Sequence, residues 1–93
     1  MKVYHSKTLT NPFAEVNPIF PIDYNKVADI ETKDLNEAYE LSNSINSPWL
    51  FNNKVKSDLL VCRSTSVGDV IEDNDGNFFM VDMIGFKELK PEL

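Results

Sequence analysis

The residues best suited to chemistry in this chain stand side by side at Arg63-Ser64-Thr65-Ser66. Three hydroxyls and backbone amides at the start of a turn, with a guanidinium beside them, make a donor set for phosphate or carboxylate, as in a small-molecule or nucleotide-binding module. The same residues have a simpler structural use. Ser64 or Ser66 caps the turn through its hydroxyl, and Arg63 pairs with an acid such as Asp69 or Asp82.

Other candidate groups carry less chemistry. Asp73, Asp75 and Gly76 would fall at positions three, five and six of a calcium-binding loop, but Ile71 would then stand at position one and Asp82 where a bidentate Glu is needed. That stretch reads as a hairpin. Glu72, Asp73, Asp75 and Asp82 as the carboxylates of a metal-dependent hydrolase are better explained as hairpin and surface residues. His5 is the only histidine and has no Cys or carboxylate at ligand spacing, which disfavours a zinc site. Cys62 and His5 could meet across neighbouring strands, as any two residues of so small a domain can. No catalytic set, metal or cofactor emerges, and the expectation is a protein that is not an enzyme.

The size of the chain bounds what these residues can belong to. Ninety-three residues make one domain with a modest core, and 42% apolar with 26% charged residues is the composition of a folded globular protein. The single cysteine, Cys62, lies in the apolar run Leu59-Leu60-Val61-Cys62, which predicts a buried small hydrophobe in a reducing compartment. The polar start MKVYHSKTLT lacks the apolar stretch of a signal peptide, and no segment approaches the roughly 20 apolar residues of a membrane helix. A cytoplasmic protein without membrane contact is expected. The formal charge of -6 argues against nucleic acid, because the few basic residues do not cluster to neutralise phosphates. An acidic surface instead suits a basic groove on another protein, or simply keeps the domain soluble.

The elements that must position these groups follow from local patterns. Val3-Tyr4-His5 begins a strand, and Pro12, Pro18 and Pro21 make residues 11–24 a loop. Phe13, Val16, Ile19, Phe20 and Ile22 of that loop should pack onto the domain or meet a partner. Residues 26–32 read as a short strand. Asp34, with Glu37 three residues later, resembles a capping box and opens a helix. Leu35, Ala38, Tyr39, Leu41, Ser42 and Ile45 share its apolar face, Glu37 and Glu40 lie opposite, and Asn46-Ser47-Pro48 end it. Trp49, Leu50 and Phe51 then close the core under the helix end, although a tryptophan there also suits an interface. Leu59–Arg63 reads as a strand, Ser64–Gly68 as a turn, and Val70-Ile71 as the next strand. Asp75-Gly76 predicts a two-residue type I′ hairpin. FFMVDMI returns as a central strand covered on both faces, with Gly85 as a bend that tucks Phe86 and Leu89 into the core. The sum is a single α+β domain over 1–93, a mainly antiparallel sheet with one main helix packed on it.

Two stretches, TKDLNEAYELSNSINSPWLFN and RSTSVGDVIEDNDGNFFMVDMIGF, together resemble small proteins encoded by bacteriophages and related mobile elements. The RSTSVGDV string ahead of a short hairpin and a terminal GF is the most specific part, and the likeness spans roughly residues 27–89. It implies a phage-like origin and a small accessory role, and carries over no catalytic residues. The function expected is therefore binding of a host macromolecule, as an inhibitor or anti-defence protein would, in the cytoplasm of a bacterial host. The partner would be a host protein met by an acidic, partly aromatic surface carrying Glu37, Glu40, Trp49 and Phe51. The alternative is the anion-binding module at Arg63–Ser66.

Overall fold

A computed structural model describes residues 1–7, 18–44 and 48–90. Among the described residues six strands form one sheet: β1 (Lys2–Ser6), β2 (Tyr24–Ile30), β3 (Val55–Lys56), β4 (Val70–Glu72), β5 (Phe78–Asp82) and β6 (Gly85–Leu89). Their order is β3-β2-β1-β4-β5-β6 and every pairing is antiparallel. One helix, α1 (Leu35–Ser42), and a 3₁₀ turn at Trp49–Phe51 cover one face. This is the α+β architecture that the residue pattern predicts.

Alternation along β1 explains the two faces. Val3 and His5 point toward the helix, where Val3 joins Ala28, Ile30, Ile71, Val81, Ala38 and Trp49 in the core. Tyr4 points the other way, into an aromatic cluster with Phe20, whose ring meets those of Tyr4, Tyr24 and Phe78 at centroid distances of 5.3, 5.2 and 5.1 Å. Phe20 thus packs down as expected of the proline-rich loop, whereas Ile19 and Ile22 are exposed and Phe13 and Val16 lie outside the described residues. Strand β2 begins at Tyr24, earlier than the sequence pattern suggests. A bulge opposite Val3 and Tyr4 explains why its alternation is hard to read: Val27 and Ala28 are neighbours and both are buried.

Helix α1 is shorter than its apolar periodicity predicts. Asp34 caps it by accepting from the Asn36 amide at 2.9 Å, but Glu37 does not complete the reciprocal box, turning instead to Lys54 Nζ at 3.1 Å. The helix stops at Ser42 because the segment Arg63–Ser66 takes over its last groups. Thr65 N–H donates to Ser42 O at 2.8 Å, the Asn43 side-chain amide donates to Thr65 O, and Ser64 Oγ donates to Ser44 O at 2.9 Å. Ile45, Asn46 and Ser47 lie outside the described residues.

Several expectations for the second half are corrected. Leu59–Arg63 is not a strand: bends at Asp58 and Leu60 turn the chain from the sheet, and Leu60 and Val61 are 81% and 88% exposed. Cys62 is half-buried rather than fully enclosed. The β4–β5 connection is not a type I′ turn. Gly76 N–H bonds to Asp73 O at 3.3 Å, Asp73 N–H to Asn77 O at 2.9 Å, and only Gly76 takes a positive φ, +85°. A three-residue loop of this kind needs one left-handed residue, not two. FFMVDMI is not one covered strand either, since Met83 and Ile84 form an exposed two-residue turn into β6. Phe86 still meets the core, half-buried, with its ring perpendicular to that of Tyr39 at 6.0 Å.

Candidate functional site

Two places gather the residues singled out by sequence. The first is a polar knot where β1, the start of β4 and the strap Arg63–Ser66 meet. The Asp69 carboxylate is buried at its centre, accepting from Arg63 Nη1 and Nη2, from the Ser66 amide at 2.8 Å and from the Ser6 amide at 3.0 Å. Gly68, at φ +94°, makes the turn that aims Asp69 inward. Burial alone would raise the Asp69 pKa, but the Arg63 guanidinium, the two amides and His5 outweigh it and hold the carboxyl below its usual range. Arg63 in turn is held charged above its ordinary value, chiefly by the hydrogen bond to Asp69.

Every side chain named as an anion ligand is thus engaged within the fold, although Ser66 itself is exposed. The guanidinium also donates to Ser6 O and Ser64 O, and its Nη1 lies 3.4 Å from Ser66 Oγ. Ser64 Oγ is on Ser44 O, Thr65 Oγ1 lies 2.8 Å from His5 Nε2, and Trp49 Nε1 donates to Arg63 O at 2.9 Å. These contacts fasten the strap to the helix end, to β1 and to the indole. Of the two acids considered for Arg63, the structure selects Asp69.

His5 and Cys62 do meet. His5 Nδ1 lies 3.4 Å from Cys62 Sγ, and Nε2 lies 3.8 Å from Asp69 Oδ2. The order of contacts is that of a nucleophile, a base and an orienting group. The electrostatics run the other way. Burial lowers the His5 pKa to about 4, against the raising effect of Asp69, and burial raises that of the Cys62 thiol. At neutral pH the pair is a protonated thiol beside a neutral imidazole. Among the described residues no group of three or more His, Cys, Asp and Glu side chains is placed to hold a metal ion.

The second place is a shallow groove of about 410 Å³ between the end of α1 and the 3₁₀ turn, lined by Glu40, Leu41, Ser44, Pro48, Trp49, Phe51 and Asn52. Three of the four residues assigned to an interaction surface line it together. Trp49 is no exposed anchor, however: it is 3% exposed, because its indole is needed against the core and on Arg63 O. The Phe51 ring is 71% exposed and Glu40 is exposed, while Glu37 is occupied by Thr32 and Lys54, which hold its carboxyl below the usual range. Leu41, Ser44, Pro48 and Asn52 were not singled out. Leu41 falls on the apolar helix face and gives no separate signal. The proline that ends the helix does mark where the groove begins.

No protein-family model, curated protein or solved structure matches this chain. No helix among the described residues is long and apolar enough to cross a membrane.

Proposed function

We propose that this protein is a non-enzymatic accessory module that binds another protein, and that the groove at the end of α1 is its docking site. One observation carries the reading: exposed Glu40 and the largely exposed Phe51 line one concavity with Leu41 and the edge of Trp49. A solvent-exposed aromatic beside a pocket is costly to leave in water and is a frequent anchor of protein interfaces. The strap at Arg63–Ser66 and the neutral His5–Cys62 pair support the same reading, because both are engaged in holding the fold. A host protein as partner, and an inhibitory or anti-defence role in a bacterial cytoplasm, are in keeping with the phage-like resemblance of residues 27–89.

Site-specific photocrosslinking tests this. A benzoylphenylalanine at position 51, exposed to bacterial lysate at moderate salt, should yield a discrete adduct that excess unlabelled wild-type protein competes away. The same probe at Lys87, on β6, should not. Adducts of equal yield at both positions, or none at position 51, would refute the docking site.

A further inference from the structure

The groove has a chemical preference of its own. Its apolar lining by Leu41 and Phe51 suits the methylene stem of a long side chain, and among the described residues that line it Glu40 alone is charged. It opens at the C-terminal end of α1, where the helix dipole is negative and the last turn carries no basic residue. The acid one turn earlier, Glu37, already has its cation in Lys54 at 3.1 Å, whereas Glu40 has no ion pair among the described residues. Phe51, largely exposed, lines the same groove. A flexible stem ending in a planar cation satisfies all of these at once: the stem packs on half-buried Leu41, and the cation meets carboxylate, dipole and ring. The net charge of -6 works in the same direction by drawing a basic segment in.

We infer that the groove receives an arginine side chain of the partner, with its guanidinium between the Glu40 carboxylate and the Phe51 ring. This rests on the docking reading above. A guanidinium fits better than an ammonium because it is planar, more weakly hydrated, and able to stack and to donate two bonds together. A second copy of this chain is disfavoured as the occupant by the repulsion of two acidic molecules.

The test uses the whole protein, labelled with nitrogen-15, and capped tripeptides Ala-X-Ala in which X is arginine, its neutral isostere citrulline, lysine, or norleucine. The arginine peptide should shift the amide resonances of Glu40, Leu41 and Phe51 saturably, at least fivefold more tightly than citrulline or norleucine and more tightly than lysine. Glu40→Gln should erase the margin over citrulline, and Phe51→Leu the margin over lysine. Glu88→Gln, on β6, should leave both unchanged. Equal binding of the arginine and norleucine peptides at these resonances overturns the inference while leaving a docking groove in place. Shifts elsewhere, or none, overturn it too, and the crosslink at position 51 then decides the docking reading separately.

Discussion

Lowering the pH from 7.5 to 4.5 should destabilise this protein chiefly through His5. The ring is buried on β1 among Thr65, Cys62, Trp49 and the Asp69–Arg63 pair, and its pKa falls from 6.5 to about 4. Between those values the unfolded chain binds a proton that the folded chain refuses. Stability is therefore full above about pH 6.5 and declines as the pH falls toward 4, with a slope approaching 1.36 kcal/mol per pH unit. Linkage over the interval gives a loss of about 2.5 kcal/mol by pH 4.5, a large share of the stability of a small domain. The single tryptophan, enclosed beside His5, reports unfolding by fluorescence. At a urea dependence of about 1 kcal/mol/M the midpoint should move by roughly 2.5 M. The depressed Asp69 carboxyl does not confuse the window, since the stability it supplies is lost only as the pH falls below about 4. The chain has no other histidine, so His5→Gln should flatten the profile between pH 6.5 and 4.5. A flat profile in the parent protein, or the same slope in the variant, would refute the reasoning.

Three further outcomes follow from the same geometry. Asp69→Asn leaves the partly buried Arg63 guanidinium without its counter-charge and should cost about 3 kcal/mol or more in urea unfolding at pH 7; a cost under about 1 kcal/mol would show that the knot is not held by charge. Phe86→Ala should cost about 2 kcal/mol, below the 3 to 5 kcal/mol of a fully enclosed phenylalanine, because its ring is only half-buried against Tyr39. Cys62 should react with iodoacetamide at pH 7 more slowly than a free thiol, its pKa raised by burial, and unfolding in urea should restore the ordinary rate; equal rates in both states would contradict a neutral thiol beside a neutral imidazole.

What the sequence reveals and conceals here has physical causes. Amphipathic periodicity exposes α1, because one of its faces lies in the core, and the apolar starts Val3-Tyr4 and Val70-Ile71 expose β1 and β4. The end of α1 is not legible: Ser42, Asn43 and Ser44 are stopped by hydrogen bonds from residues about 20 positions later. Leu59–Cys62 has strand composition and no strand, since bends at Asp58 and Leu60 take it from the ladder. β6 was hidden as a simple bend because the Met83-Ile84 turn is built from apolar residues with no turn signature. At the groove, Glu40, Trp49 and Phe51 were identifiable as residue types, but that they share a concavity depends on a 3₁₀ turn that periodicity cannot show.

The place of β1 in the sheet has a consequence for how the chain emerges from the ribosome. β1 is synthesised before both of its neighbours, yet it lies between β2 and β4, and its second ladder pairs Lys2, Val3 and Tyr4 with Glu72, Ile71 and Val70. Until residue 72 is translated and clear of the exit tunnel, half of β1 is a naked edge. Arg63 likewise waits for Asp69. A nascent chain stalled before β4 therefore offers an open strand to any chaperone or edge it meets.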